Sequence, residues 1–543
     1  MRGECGLMLK VLMVTSEAEP FAKTGGLGDV LGGLPKALAG MGGKFDANGD
    51  VCSDVDIRVI MPKYAAIPQQ FKSKMKFVGK TEVALGWRTQ YCGVMSLVHN
   101  GVTFYFIDNE YYFGGESIYE FRDFERFTFF SKGVLAALPV IDFFPDVMHC
   151  HDWQTGIIPM LLDAEYRADE RYAGIKTMYT IHNLAYQGIH GVEFVDDLLR
   201  LPREYYGEDK MGFKGNMNCM KAGIVFADYV STVSPTYAEE IKTAEYGEGL
   251  EWLIRERSSD FGGILNGVDY QRYSPKNNTS IPCRYDCETF AEGKAANKRA
   301  LQERMGLPIN PEIPVISMVT RLTSQKGVDL VIKAMARLSQ RDFQLIVLGT
   351  GDVDYENALR SFEYQYRDKM RACIMFSNEL SHHMYAGSDM FLMPSLYEPC
   401  GLGQVISLAF GTLPIVRETG GLTDTVTSYN EVTGEGNGFS FAPYNENDMV
   451  YTIDRALNIY RSPLLWQKIV RAAMECDYSW GVSAKHYMKI YKELKAKRKT
   501  VSESAKQDEG EGRTGKKTGM TSQRIKAVLG KNLLGSKEKT TVN

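Results

Sequence analysis

Short β-branched or apolar runs alternate with segments of helical period throughout this chain, and that alternation restricts it to parallel sheets assembled from βα units. The first unit is the clearest. Lys10 to Thr15 reads as a buried strand, a glycine-rich turn covers Thr24 to Gly28, and Val30 to Leu38 carries apolar residues at helical spacing. Further strands are predicted at Ile57 to Met61, Val102 to Ile107, Val147 to Cys150, Thr177 to Ile181 and Tyr229 to Val233. A polar, Asn/Pro-containing stretch from Tyr273 to Ile281 reads as a hinge. A second series follows, with strands at Val315 to Val319, Gln344 to Leu348, Ile374 to Phe376, Met390 to Met393 and Leu413 to Val416. Two such series predict an α/β protein of two Rossmann-like, doubly wound domains facing each other across a cleft.

A length of 543 residues fits two large domains better than one core. With 63 Lys+Arg against 67 Asp+Glu the net charge is −4, which leaves no global basic field for nucleic acid or an anionic membrane; any anion site is local. No stretch approaches the ~20-residue apolar run of a membrane span. Met1 to Gly6 does not open a basic-then-apolar signal peptide, so a cytoplasmic protein is expected. Ten scattered cysteines suit a reducing compartment. Cys283 and Cys287, the one close pair, lack a second Cys/His pair at zinc-like spacing and read as free thiols, so no metal site is expected. Asp46 to Asp54 reads as a surface loop extension. From Val501 onward nine Lys/Arg accompany five Asp/Glu, and no aromatic residue follows Tyr491, which predicts a disordered tail. Within it Ile525, Val528, Leu529 and Leu533 are spaced for a short helix at most.

In open parallel sheets ligands sit beyond the carboxyl ends of the strands, and here those ends carry polar and glycine residues. Lys23-Thr-Gly-Gly-Leu-Gly-Asp29 follows the first strand; backbone N–H groups around Gly25 and Gly26 can approach an anion at the helix start, with Lys23 as a point charge. The segment matches neither the G-x-G-x-x-G nor the P-loop spacing, and a tight βα turn is the plain alternative. Arg321-Leu-Thr-Ser-Gln-Lys-Gly327 follows the first strand of the second series, where Arg321 as a fork and Lys326 as a point charge can flank a diphosphate; solvated helix-start cations are the alternative. Glu398, between Tyr397 and Pro399, is placed to hold sugar hydroxyls or a cationic sugar carbon, or else is an exposed loop acid. His182 ends another strand. His149 and His151 are two apart at a strand end and make a poor metal pair without a third ligand.

Taken in order, Lys23-Thr-Gly-Gly-Leu-Gly-Asp29, His151-Asp-Trp153, Thr180-Ile-His-Asn-Leu-Ala-Tyr-Gln-Gly188, Val233-Ser-Pro-Thr-Tyr237, Leu265-Asn-Gly-Val-Asp269, the Arg321 segment, Glu398-Pro-Cys-Gly-Leu402 and Thr419-Gly-Gly-Leu-Thr-Asp424 resemble the bacterial glycogen synthase and plant starch synthase family, from about Leu9 to about Tyr491. The resemblance implies a GT-B glycosyltransferase that moves glucose from ADP-glucose to the non-reducing end of an α-1,4-glucan, retaining anomeric configuration, with no metal and no cofactor. It implies an acceptor-side domain over 1–270, a donor-side domain over 271–476, a C-terminal helix over 477–498 returning to the first domain, and a tail over 499–543. By motif position Glu398, His182, Arg321 and Lys326 would serve the reaction. Lys23, Gly25, Gly26, Asp29, Asn266, Cys400, Gly401, Leu402 and Thr419 would bind substrate, Tyr385 would stack near adenine, and Gly420 and Gly421 would present backbone N–H groups. Gly403 stands where many relatives have Thr or Asn, Ile406 replaces the second acid of the E-x7-E pattern, and Tyr273 stands where Trp is usual. The missing second acid favours the starch synthase branch. A UDP-sugar transferase or epimerase is the alternative enzyme, and a non-catalytic glucan-binding protein the alternative of another class. The choice between ADP- and UDP-glucose, like the oligomeric state, stays open in the sequence.

Overall fold

The computed structural model describes residues 8–41, 43–45 and 51–510. In chain order its first half contains β1 (Leu9–Val14), β2 (Gly43–Phe45), β3 (Val51–Ser53), β4 (Val55–Pro62), β5 (Lys76–Leu85), β6 (Arg88–His99), β7 (Val102–Asp108), β8 (Val147–His151), β9 (Lys176–Ile181), β10 (Ile189–His190), β11 (Gly212–Phe213), β12 (Asn216–Asn218), β13 (Tyr229–Thr232) and β14 (Phe261–Gly263). Nine of these form one sheet in the order β14-β13-β9-β8-β1-β4-β7-β6-β5. The second half contributes β15 (Val315–Val319), β16 (Gln344–Leu348), β17 (Met370–Cys373), β18 (Met390–Met393), β19 (Leu413–Arg417) and β20 (Phe439–Phe441). They pair in parallel in the order β17-β16-β15-β18-β19-β20. Among the helices, α1 (Gly26–Gly40), α2 (Pro235–Glu240), α3 (Phe290–Arg304), α4 (Gly403–Ala409), α5 (Gly420–Thr425) and α6 (Trp480–Gly510) matter for the site. β1 is buried along nearly its whole length, as a strand covered by helices on both faces must be.

The structure departs from the sequence reading in four places. The first sheet is not wholly parallel: β6 runs antiparallel to both β5 and β7. Two-residue connections, Gly86-Trp87 and Asn100-Gly101, join these strands, and Asn-Gly is a strong hairpin signal that the reading passed over. The strand expected at Ile374 to Phe376 lies at Met370–Cys373, whose backbone pairs with β16; Met375 and Phe376 are apolar but exposed. The loop expected over Asp46 to Asp54 is bordered by an antiparallel β2–β3 pair, with 46–50 outside the described residues. Helix α6 continues through 499–510, where the tail was expected to begin; residues 511–543, including Ile525, Val528, Leu529 and Leu533, lie outside the described residues.

Each sheet centres its own core, and the C-terminal helix joins the first one. Trp480, Tyr487, Met488, Tyr491 and Leu494 are buried in the same apolar cluster as β1, β4 and β8. Contact there is close: a Cβ added to Gly33 of α1 would lie 2.1 Å from the Trp480 indole nitrogen. Gly33→Ala is therefore expected to destabilise the first half by about 1–3 kcal/mol through overpacking, read as a lowered thermal midpoint. An unchanged midpoint would show that Trp480 is free to move.

Candidate active site

The carboxyl ends of β8 and β9 bring three histidines together. The strands pair with His151 opposite Thr180, so His151 Nδ1 reaches His182 Nε2 at 3.0 Å. His149 shares the face of His151, two residues along the strand, and their ring centroids lie 4.0 Å apart. His149 Nδ1 is 2.7 Å from the Tyr491 hydroxyl of α6, and its Nε2 is 2.6 Å from Thr180 Oγ1. The sequence reading set His149 and His151 aside as a poor metal pair; the fold makes them neighbours of His182 instead. Burial pushes the imidazole of His182 down to about 3 and those of His149 and His151 well below the usual range, so all three are neutral at pH 7.

Asp152 turns the chain out of β8 at φ +57° and ψ 179°, a conformation that costs a non-glycine residue roughly 1–3 kcal/mol. Its carboxylate accepts the His182 N–H at 2.7 Å, and burial pushes it up to about 7. The sequence reading quoted Asp152 within a motif without giving it a role. Its place directly after a buried strand was the available signal.

The glycine-rich turn is more occupied than its composition suggested. Glu17, 3% exposed, accepts Thr24 N–H and Thr24 Oγ1–H, each at 2.6 Å, and Gly25 N–H at 3.2 Å. The Gly25 N–H expected to meet an anion is thus engaged by an internal carboxylate, whereas Gly26 opens α1 into open space. Lys23 Nζ lies 2.5 Å from Asp29 and 3.4 Å from Glu19, so its charge is compensated. Burial raises the Asp29 carboxyl, and Lys23 opposes that shift. Glu19 also pairs with Arg272 across the cleft. A cavity of about 170 Å³ opens here, lined from both halves by Asp29, Arg272, Tyr273 and Leu402 among others.

In the second half the loops after β15 and β18 converge. A Cβ at Gly327, where φ is +71°, would lie 2.0 Å from the Pro394 carbonyl oxygen, and this close approach brings Lys326 to Glu398. Lys326 Nζ is 2.5 Å from Glu398 Oε2, and Ser395 Oγ donates to the same oxygen at 3.2 Å. Glu398 is 5% exposed, which rules out the exposed loop acid. Arg321 is exposed and makes no ion pair among the described residues, so its fork is open to a ligand.

Residues beside His182 and Glu398 come near each other across the cleft, where Asn183 lies close enough to Tyr397 to oppose the rise that burial gives its hydroxyl. Asn266 likewise lies beside buried Cys400, and its own Oδ1 is sealed without a partner among the described residues. Gly401 and Leu402 follow, half-buried. Helices α2 and α5 clasp reciprocally. Asp424 accepts Thr236 N–H and Oγ–H at 3.0 and 2.7 Å, while Glu240 accepts Thr419 Oγ–H and Gly420 N–H, both at 2.9 Å. Gly421 N–H donates to the Glu398 carbonyl at 3.2 Å. Neither glycine N–H expected to face a ligand is free: apposition of the two halves delivers Glu240 to Gly420, and the Glu398 carbonyl takes Gly421.

Tyr385 also departs from expectation. It is 5% exposed and packs against Phe391 and Phe410 in the second core, so its ring is not available to a base. An open aromatic ring at a strand end of the second half is Phe376, 84% exposed just beyond β17. Sequence reasoning missed it by placing it inside a strand. A separate cavity of about 370 Å³ lies beside α3, at the amino end of β18. Its two lysines are engaged from within, Lys298 with Asp389 at 2.8 Å and Lys294 with Thr412 and two carbonyls. Its position is opposite to where such sheets bind ligands.

Two halves built on mainly parallel sheets, with cations, a buried acid and neutral histidines at apposed strand ends, define the class of two-Rossmann glycosyltransferases. The family model for the starch synthase catalytic domain matches residues 10–256, and that for glycosyl transferases group 1 matches residues 301–472. The chain is 49% identical over 489 residues to the glycogen synthase of Anoxybacillus flavithermus, covering 90% of this chain and 98% of that one. It is 50% identical over 489 residues to the glycogen synthase of Clostridium novyi, covering 90% and 99%. The chain belongs to the glycogen and starch synthase family. The catalytic domain of starch synthase IV from Arabidopsis thaliana, bound to ADP and acarbose, superposes with a TM-score of 0.83 at 32% identity, covering 90% of this chain and 100% of that one. Sucrose-phosphate synthase from Thermosynechococcus elongatus shares the fold, with a TM-score of 0.56 at 17% identity.

Proposed function

We propose that this chain transfers glucose from ADP-glucose to the non-reducing end of an α-1,4-glucan, releasing ADP and retaining anomeric configuration. The observation that carries the reading is the Lys326–Glu398 ion pair, with Glu398 buried just beyond β18, in a chain of this family. Departure of a nucleoside diphosphate leaves an oxocarbenium-like sugar, so positive groups are needed on the phosphate side and hydrogen-bonding groups on the sugar side. Arg321 and Lys326 supply the first; Glu398, His182 and the 400–402 segment supply the second. Residues 271–476 form the donor side and residues 1–270 the acceptor side, with Lys23 and Asp29 at their meeting point and 477–498 bracing the first domain. Closure of the cleft excludes the water that would hydrolyse the donor.

Thr419 and Gly420 take part once the donor displaces Glu240, Gly421 contributes through its bond to the Glu398 carbonyl, and Asn266 lies beside Cys400 at the same edge. Phe376, in place of Tyr385, offers its face to the adenine. Phe376→Ala is expected to raise the KM for ADP-glucose about 2- to 10-fold with kcat little changed, as loss of one stacking contact would; an unchanged KM would remove the ring from the donor site. We place the protein in the cytoplasm, a reading supported by eight cysteines that carry free thiols, and by the absence among the described residues of any helix long and apolar enough to cross a membrane.

The test is nucleoside diphosphate release from purified protein given ADP-glucose or UDP-glucose, each with and without a glucan primer. Primer-dependent ADP release is expected. Preference for UDP-glucose would change the donor, and silence with both donors despite glucan binding would leave a non-catalytic protein.

A further inference from the structure

The proton on the His182 ring can be placed from its surroundings. His182 Nε2 and His151 Nδ1 are 3.0 Å apart, so one nitrogen carries the proton and the other lends its lone pair. His151 is fully buried, and its Nε2 is sealed with no hydrogen-bond partner among the described residues. The stacked His149 cannot serve it, since both of its ring nitrogens are engaged by Tyr491 and Thr180. A proton on His151 Nε2 would make a buried, unpaired N–H donor, which folded proteins almost never contain; a bare ring lone pair there is the lesser cost. The proton of His151 therefore sits on Nδ1 and is donated to His182 Nε2. A neutral imidazole has one ring proton, so that of His182 is on Nδ1, an atom with no protein partner among the described residues that is not sealed from the cleft. The reverse arrangement, with His182 donating from Nε2, would force the His151 proton onto the sealed nitrogen.

We propose that His151 is a positioning residue that fixes His182 as an Nδ1–H donor directed to an oxygen of the bound nucleotide-sugar. The substrate half of this statement rests on the function proposed above, while the tautomer does not. Burial keeps both rings uncharged, so His182 offers a directional hydrogen bond rather than a positive charge beside a sugar carbon that itself becomes positive.

The full chain labelled with ¹⁵N-histidine reports each tautomer in long-range ¹H–¹⁵N correlation spectra without any substrate, with His182 identified by signal loss in His182→Gln. Nδ1-protonated rings are expected for both His151 and His182; an Nε2-protonated or a charged His182 would overturn the proposal. Two substitutions then separate positioning from mere packing. In His151→Asn the side-chain amide puts an N–H where Nδ1 was, whereas His151→Leu removes the donor. Asn is expected to keep kcat within about 3-fold of the parent, and Leu to lose about 10- to 100-fold in kcat with a smaller change in donor KM, the usual size for loss of a partner that sets a ring tautomer. Thermal midpoints are expected in the other order, Leu at or above Asn, because the amide is harder to bury. If kcat follows the thermal midpoints, His151 is a packing residue. A chain with the expected tautomers but no transferase activity overturns the functional reading alone, and an active chain with the other tautomer overturns this one alone.

Discussion

Glu398→Gln is expected to lower kcat by about 100- to 1,000-fold while ADP binding is kept or tightened. The direction of the second effect follows from the ion pair. Lys326 Nζ rests 2.5 Å from the Glu398 carboxylate, so in the free protein part of its charge is neutralised there. A neutral amide still accepts hydrogen bonds from Lys326 and Ser395, but it releases the lysine charge to a diphosphate. It also removes the negative charge that stabilises a sugar carbon turning cationic, an interaction made only in the transition state. Gln is preferred to Ala because it keeps a hydrogen-bond acceptor beside the partly buried ammonium, whereas Ala would leave it with neither charge nor acceptor and confuse folding with chemistry. Primer-dependent ADP release and ADP titration calorimetry read the two effects separately. A Gln variant with the parent's kcat would take Glu398 out of the chemistry, and weakened ADP binding would mean that the pair preorganises Lys326 instead of restraining it.

Acidification from pH 7 to 5 is expected to destabilise the first half steeply, long before ordinary carboxylates titrate. His149, His151 and His182 are uncharged in the fold, the last pushed down to about 3, but in the unfolded chain each binds a proton near pH 6.5. Below that pH the unfolded state holds three protons that the folded state does not, so stability is lost as pH falls. Asp152 works the other way. Pushed up to about 7, it stays protonated in the fold between roughly pH 4 and 7, where an unfolded aspartate is ionised, and it cancels one of the three. The unfolded chain keeps a net excess of protons, and each contributes a slope of about 1.4 kcal/mol per pH unit below about pH 6.5. Urea unfolding followed at pH 7.5, 6 and 5 measures this slope. His151→Leu should flatten it by one proton, and a stability independent of pH over that range would mean that the histidines are solvated.

Much of the site was legible in the sequence because strand-end residues are fixed by local chain order. Lys326 and Glu398 each follow a buried strand by a few residues, and once both strands lie in one parallel sheet their carboxyl ends must share an edge. The same logic located His182 and the glycine-rich turn. The failures have local causes too. Tyr385 and Phe376 are both aromatic and both close to a strand; only packing decides that Phe391 and Phe410 enclose one while the other is left open. Gly25, Gly420 and Gly421 were expected to offer N–H groups, yet Glu17 engages the first by a fold-back of the same loop and Glu240 the second from the facing half, and no spacing rule connects either acid to its glycine.

The amino-acid order by itself determined the class of fold, the two successive strand series, and the residue types delivered to the cleft, because hydrophobic periodicity and turn chemistry act over short stretches of chain. Tertiary structure alone decided which of those groups are charged, paired or free. It buried three histidines and stripped them of charge, placed Lys326 against Glu398, seated Glu240 on the Gly420 backbone, and drew Tyr491 from the C-terminal helix onto His149. Each of these depends on desolvation and on contacts between residues far apart in sequence, and those are set by how the layers pack.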